Sequence, residues 1–331
     1  MKINLMKKIL KILSINVLVF VGLCLILEIT ARIGIFVIRG SSTIGLDERT
    51  NNLEYEPYVM YGHGWEKKFQ NFENKNKKRI LILGGSTAEA WKTDILENIL
   101  KERLNIDVEV INGAHGAYNS RQQLVILSIW GGRIKPDIVI SLDGANDILH
   151  SLRGENEAGT FYLNHTYKTY LTKPYAGTLT FLIQNSQLIN GISRLTRRFV
   201  EFNAEDHYDN VNIYLETKKN ISIISHAYEA YHISILQPYL GFKKNKTNRE
   251  KAFKIYDYRD EIVKELMLFT EKKLNDLYDN SKNTYHFNSQ YLYETDKLIF
   301  SDDFHFIDDY GYELLSEKIL NIIVNENLLK K

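Results

Sequence analysis

The stretch "ILILGGSTAEAW" (Ile80–Trp91) decides how the rest of the chain is read. Four apolar residues run into Gly84 and Gly85, then Ser86 and Thr87, then helix-forming residues. A short apolar run closed by glycine reads as a buried strand, and the change of period after it reads as a helix. Such a strand–turn–helix offers Ser86 three uses. A glycine-rich turn cradles a phosphate on its backbone N–H groups. A sharp turn lifts a serine as a nucleophile. Serine and threonine are also favoured helix caps. The phosphate reading lacks its parts. No Lys precedes Ser86, as a Walker loop requires, and Glu89 and Ala90 stand where a dinucleotide fingerprint needs a third glycine. Nucleophile and cap are left, and only distant parts of the chain separate them.

Outward from this stretch, strands and helices alternate. "TAEAWKTDILENILKERL" has helical spacing through Trp91, Ile95, Ile99, Leu100 and Leu104. "IDVEVING" reads as a second strand, "SRQQLVILSIWGGRI" as a helix stopped by Gly131 and Gly132, and "PDIVISLDG" as a third strand. Residues from about 148 to 215 break the rhythm. They are rich in Tyr and Asn and read as a mostly helical insertion. "KKNISIISHAYEAY" then leads as a helix into a fourth strand, "HISILQP". "GFKKNKTNREK" reads as a solvated basic loop. "YDYRDEIVKELMLFTEKKLNDLYD" is amphipathic, "TYHFNSQYL" holds a short fifth strand, and "DDYGYELLSEKILNIIVNENLL" closes as a helix. Short links between alternating elements imply right-handed crossovers. The expectation for residues 79–331 is an α/β fold, a three-layer α/β/α sandwich around a parallel sheet.

Composition sets the outer limits. The chain has 331 residues, 44% hydrophobic and 25% charged, the balance of a globular protein. Its formal net charge of +1 gives no electrostatic argument for nucleic acid. The single cysteine, Cys24, excludes an internal disulfide framework and a cysteine-based metal site. At the N-terminus, "MKINLMKKILK" carries four lysines and no acid, and Ile12–Leu27 carries no charge. With Glu28 to Ala31 included, the run reaches the length of about 20 residues that crosses a bilayer. A signal peptide would need a small-x-small cleavage site that "LILEITARI" does not offer, and Leu23 stands where a lipoprotein needs a small residue before Cys24. A buried helix of a soluble domain fits the lysine cluster poorly. The expectation is a retained signal anchor over residues 1–40 in the cell (inner) membrane. Its lysine-rich end is cytoplasmic and the domain extracytoplasmic. Residues 41–78 read as a juxtamembrane connector, with the aromatic "YEPYVMYGHGW" packed on the domain.

In an open parallel sheet, ligands bind at the carboxyl ends of the strands. Four segments stand there: Gly84–Ser86, "NGAHGAYNS" (Asn112–Ser120), "DGAND" (Asp143–Asp147) and "SDDFHF" (Ser301–Phe306). Asp302 precedes His305 by three residues. A tight turn brings such a carboxylate to the imidazole Nδ1 and leaves Nε2 free for a serine proton. Asn146 offers an amide to an oxyanion, or an ordinary Asx turn. His115 reads as a surface-loop histidine, and the remaining histidines form no metal-spaced set. No metal and no cofactor are expected. The aromatic stretch "FYLNHTYKTYLTKPYAGTLTF" reads as packing over the sheet edge.

Taken in order, these motifs resemble the SGNH (GDSL-like) hydrolases, whose blocks supply Ser, Gly, Asn and His in that sequence. Gly84-Gly85-Ser86-Thr87 is similar to the first block, Gly144-Ala145-Asn146-Asp147 to the third, and Asp302-Asp303-Phe304-His305 to the last. The resemblance runs from about Arg79 to the end of the sequence, outside the insertion. One block departs, because the oxyanion glycine of the family falls on Ala117, just after Gly116. Alanine serves there if its φ is negative. If φ is positive, the register shifts or the hole weakens. The resemblance implies a flavodoxin-like sandwich and a serine esterase. Ser86 would be the nucleophile, His305 its base and Asp302 the orienting carboxylate. Ser86 N–H, Asn146 and an N–H of Ala117 or Gly116 would form the oxyanion hole. The implied substrate is an acyl ester, such as an O-acetyl group on an envelope or secreted polysaccharide. An O-acyltransferase using the same triad, and a non-catalytic envelope assembly or binding protein, are the alternatives. The sequence does not fix the oligomeric state.

Overall fold

The computed structural model describes residues 2–39, 54–70, 72, 77–152, 186, 189, 203–253, 260–278 and 282–329. Most of the 148–215 insertion, including its aromatic stretch, lies outside the described residues. The chain divides into two compact units, one of Met1–Leu53 with Thr166–Glu201 and one of Glu54–His165 with Phe202–Lys331.

In the first unit, α1 runs from Lys2 to Arg39. Its Lys11–Ile33 segment, 23 residues with mean hydropathy 2.6, is long and apolar enough for a membrane span or a signal sequence. Among the described residues its large apolar side chains are exposed, Leu18 at 71% and Phe20 at 67%. Glu28 interrupts this surface but is not left unpaired. Arg32 Nε, one turn on, donates to it at 2.8 Å, and Ser186 Oγ at 2.7 Å.

The second unit opens with a two-stranded antiparallel hairpin, β1 (Glu54–Glu56) and β2 (Met60–Gly62), and a short helix α2 (Trp65–Lys68). This stretch falls within the connector expected from sequence. Trp65 and Phe69 stack 5.3 Å apart and are fully buried, so it packs as part of the domain core. β3 (Lys78–Gly84), α3 (Ser86–Glu89), α4 (Thr93–Leu104) and β4 (Val108–Asn112) follow, then α5 (Ser120–Ile134), β5 (Ile138–Asp143) and α6 (Ala145–Leu152). Then come α7 (Tyr208–Ala227), which begins inside the expected insertion, β6 (Tyr231–Leu236), α8 (Asn248–Ala252), α9 (Asp260–Tyr278), β7 (Thr284–Phe287) and α10 (Asp309–Asn325).

Five strands form one parallel sheet in the order β4-β3-β5-β6-β7. This is a doubly wound arrangement with its switch point beside β3, where ligands bind outside the carboxyl ends of the strands. Alternate strand residues serve opposite faces. Ile80, Ile82, Ile138, Ile140 and Ile233 join α4 and α10 in one apolar core. α6, α7 and α9 share a second core through Tyr214, Leu266 and Leu274. The expected α/β sandwich is the observed architecture, with three local differences.

The helix expected after Thr87 is split at Ala90–Lys92 into α3 and α4. α4 buries Leu100 of the expected face and packs Ile95, Ile99 and Leu104 partly buried against the same core, with Leu96 buried beside them. α5 is not stopped by Gly131 and Gly132; it runs to Ile134 and ends on Lys135 at φ 51°. A Cβ on Gly131 would lie 2.4 Å from the Tyr228 ring, so that glycine answers a close helix approach. The basic loop is not wholly solvated. Lys243 and Glu250 form a fully buried pair at 2.7 Å, and Glu250 also accepts from the Thr247, Ile299 and Phe300 backbone N–H groups. A capping box at Thr247 starts α8 and aims Glu250 inward.

Removing one partner of that pair strands a buried ammonium. Glu250→Ala is expected to lower unfolding stability by about 3–5 kcal/mol, read as a fall in denaturant midpoint of the detergent-solubilised chain. A change below 1 kcal/mol would mean that Lys243 reaches water without its partner.

Candidate active site

β3 delivers Ser86 to the carboxyl edge of the sheet. Gly85 occupies the N-cap of α3, so Ser86 is the first helical residue, and its hydroxyl is not used as a cap. Instead Ser86 Oγ lies 2.6 Å from His305 Nε2. The other ring nitrogen, Nδ1, lies 2.9 and 2.8 Å from the two Asp302 carboxylate oxygens. The three side chains form one continuous line of hydrogen bonds, the arrangement that lets an imidazole take a proton from a hydroxyl.

The His305 loop is held by its own backbone. Ser301 N–H donates to His305 O at 2.8 Å, and Ile307 N–H to Ile299 O at 2.8 Å. Asp302 also accepts from the Phe304 and His305 N–H groups, each at 2.9 Å. Burial pushes the Asp302 carboxyl up, but the hydrogen bonds from His305 and from these N–H groups outweigh it and hold the carboxyl below its usual range. Thr87 fastens this loop to the Ser86 turn. Its Oγ1 donates to Phe304 O at 3.1 Å and accepts from Gln237 Nε2 at 2.6 Å, while Tyr312 Oη donates to Thr87 O at 2.8 Å.

Asn146 stands on the first turn of α6 and donates one amide hydrogen to Tyr118 O at 2.9 Å. A primary amide has a second hydrogen to give. A Cβ on Gly85 would fall 2.5 Å from Asn146 Nδ2, so glycine beside the serine is what lets the amide approach. Asp147 sits behind, accepting from Ser120 Oγ at 2.7 Å and from Ser120 N–H. Burial, then the nearby Asp143 charge, push its carboxyl up to about 7.

In the Asn112–Ser120 loop, Tyr118 N–H donates to His115 O at 3.1 Å and closes a turn over Gly116 and Ala117. Among the described residues, neither Gly116 nor Ala117 gives its N–H to a backbone carbonyl. Ala117 has φ 61°, so this position is left-handed and alanine holds it at a steric penalty that glycine would not meet. The structure thus gathers Ser86, His305 and Asp302, sets Asn146 beside Gly85, and leaves the Gly116 and Ala117 N–H groups free in the adjoining loop.

A second serine–histidine contact was not foreseen. Ser141 Oγ and His232 Nε2 are 2.8 Å apart on neighbouring strands β5 and β6. Both residues have no exposure, and the Lys218 ammonium, itself buried, donates to Ser141 Oγ and to Asp143. A substrate has no access to this hydroxyl, and burial drives His232 well below its usual range, favouring neutral imidazole. It is a buried polar network. The His305 and Asp302 side chains are 38% and 55% exposed, so the Ser86 site meets solvent. A cavity of about 520 Å³ lies nearby over the ends of β6 and β7, lined by Gln237, Phe242, Met267 and Tyr293. Ser86, Asp302 and His305 are not among its walls.

His115 is buried, not a surface residue. Tyr61 and His63 from the N-terminal hairpin pack on its ring at 5.2 and 4.2 Å. This covering was invisible in sequence because the hairpin lies over fifty residues away.

No family model matches the sequence, and no curated protein matches it. Solved structures similar to the chain include a GDSL-like lipase from Bacteroides thetaiotaomicron, at 13% identity and TM-score 0.44, covering 79% of this chain and 95% of that one. A lipase from a goat rumen metagenome is 13% identical with TM-score 0.47, covering 74% and 96%. An acetylxylan esterase from Geobacillus stearothermophilus is 11% identical with TM-score 0.45, covering 75% and 95%.

Two outcomes follow from the geometry. Ala117→Gly is expected to raise stability by about 1 kcal/mol, measured as a shift in denaturant midpoint, because it relieves the left-handed alanine. Asp147 has its folded carboxyl raised toward 7 while the unfolded one titrates near 4. The neutral form is favoured on folding, so its contribution is fullest below about pH 4 and is lost as pH rises toward 7. Asp147→Asn should therefore gain melting temperature over the wild type between about pH 5 and 8, and lose that gain below pH 4. Parallel melting curves would exclude the raised carboxyl.

Proposed function

We propose that the chain is a membrane-anchored serine ester hydrolase of the SGNH type. The observation that carries this reading is the Ser86–His305–Asp302 line, with Ser86 Oγ at 2.6 Å from Nε2 and the carboxylate on Nδ1. His305 Nε2 takes the Ser86 proton as Oγ attacks the ester carbonyl. The carbonyl electrons move onto oxygen. Donors for that oxyanion are the Ser86 N–H, the free hydrogen of the Asn146 amide and the N–H of Ala117 or Gly116. His305 then gives the proton to the departing alcohol, leaving acyl-Ser86. Water adds in the second half, again with His305 as base, and the carboxylic acid leaves. Asp302 holds the Nδ1–H tautomer throughout and supports the imidazolium. No metal and no cofactor enter these steps.

The placement is part of the same reading. The apolar Lys11–Ile33 helix retains the chain in the inner membrane, and the lysines before it keep that end cytoplasmic. The domain then works outside the cytoplasm, where O-acyl groups on polysaccharide are the esters at hand. An acceptor hydroxyl replacing water on acyl-Ser86 would make the same site an acyltransferase.

Purified full-length chain is expected to hydrolyse p-nitrophenyl acetate and to be labelled by a fluorophosphonate. Ser86→Ala and His305→Ala should each remove at least 10³-fold of the turnover, and Ser86→Ala all of the labelling. Asn146→Ala should cost about 10²–10³ in kcat with little change in KM. A folded wild type with neither activity would end the esterase reading. Acylated glycan in place of free acid, when glycan is added, would identify a transferase. A reporter fused after Lys331 and active only inside the cytoplasm would reverse the topology.

A further inference from the structure

Three side chains beside the Ser86 site remain unused by that mechanism. His63 follows β2, Glu89 ends α3 three residues after Ser86, and His115 lies in the Asn112–Ser120 loop. Each offers one donor atom, and the three donors lie within 4.8 Å of one another. His63 and Glu89 are 26 residues apart, as are Glu89 and His115, so no local motif announces the set.

His115 carries the argument furthest. It is 5% exposed, and its Nδ1 lies 3.0 Å from Gly116 O. A carbonyl accepts only from an N–H, so the proton sits on Nδ1 and Nε2 is a bare lone pair. That Nε2 is buried with no hydrogen-bond partner. An orphaned polar atom of this kind opposes folding unless something occupies it. A backbone carbonyl on one ring nitrogen and an open lone pair on the other is the arrangement of a metal-ligating histidine with its outer partner in place. Burial also holds this ring below its usual range, in the neutral form that a metal requires.

The other two donors face it. His63 Nε2 and Glu89 Oε1 are 2.7 Å apart, and the His63 and His115 rings lie 4.2 Å apart at 34°. The side chains of His63 and Glu89 are 43% and 35% exposed, which gives an ion a path from solvent. Lys68 is the opposing charge. Its ammonium is turned onto Asn112 O at 2.8 Å and the face of Trp65, and burial lowers its pKa.

We propose that His63, Glu89 and His115 bind a divalent transition metal of the zinc class. Two imidazoles and a carboxylate suit Zn²⁺ and not Ca²⁺ or Mg²⁺, which take oxygen ligands. Bonds of about 2.0–2.1 Å put tetrahedral donors roughly 3.4 Å apart. Rotation of the partly exposed His63 and Glu89 side chains supplies that contraction. The ion replaces the hydrogen bond between His63 and Glu89: the neutral His63 imidazole carries its proton on Nδ1 and ligates through Nε2, and water takes the fourth position. The metal ties the N-terminal hairpin to the end of the Ser86 helix and to the loop that holds Ala117 left-handed. The assignment uses none of the triad residues and does not depend on the esterase reading.

The test is equilibrium dialysis of the full-length, tag-free chain in detergent against Zn²⁺, with Co²⁺ as a spectroscopic substitute. One equivalent per chain is expected, with the visible absorption of tetrahedral Co²⁺ and a rise in melting temperature on adding Zn²⁺. His63→Ala and Glu89→Gln, both at partly exposed positions, should weaken binding about 10–100-fold and shrink the thermal shift. The His63→Ala/His115→Ala pair should abolish both, while His305→Ala keeps the full equivalent and so excludes Asp302 and His305 as the ligands. Wild type without stoichiometric binding, or the double variant binding like wild type, overturns the site. Both readouts are independent of ester turnover, so a failed triad and a failed metal site give different results.

Discussion

Thr87 is the residue on which the geometry of the site depends. Its hydroxyl lies between Gln237 and the Phe304 carbonyl, and its own carbonyl accepts from Tyr312. Three parts of the chain distant in sequence therefore meet one residue after Ser86. Two adjacent residues divide the work: Thr87 fixes where the last loop sits, and Ser86 uses what that loop presents. The 2.6 Å contact between Ser86 and His305 is a consequence of that fastening, because a hydrogen bond between mobile groups would not hold its length.

The sheet was legible because its strands are apolar on both faces, as a covered parallel sheet requires. Ile80–Leu83 and Ile138–Leu142 need no partner to be recognised. Asp302 and His305 were legible for a different reason. A three-residue spacing in a tight turn is local geometry, and local geometry survives in sequence. What escaped was all tertiary. The His63–Glu89–His115 group, the Lys243–Glu250 pair and the Ser141–His232–Lys218 network join residues from separate elements, and each member alone resembles a surface polar residue. Gly131 and Gly132 misled for the same reason. A glycine that ends a helix and one that admits a neighbouring ring look alike until Tyr228 is in place.

The two serine–histidine contacts show what burial decides. Each has an oxygen to nitrogen distance below 3 Å. One has an ammonium on its hydroxyl and no path to water, and its histidine is neutral by desolvation. The other has a carboxylate behind its histidine and half-exposed side chains around it. Distance alone would rank them equal. The sign of the neighbouring charge and access to solvent separate them, since an imidazolium must be stabilised and a substrate must arrive.

The Ser86 and His305 partners are separated by 219 positions in the chain. During synthesis Ser86 emerges early, just after the first strand of the five-stranded sheet, while His305 is carried by a loop that precedes the final helix. Ser86 meets His305 only when that loop is seated, and Thr87, held by Phe304 and Tyr312, is where it is seated. Assembly of the Ser86–His305–Asp302 line is thus coupled to completion of the fold, and a chain cut short before Asp302 would lack both partners of Ser86.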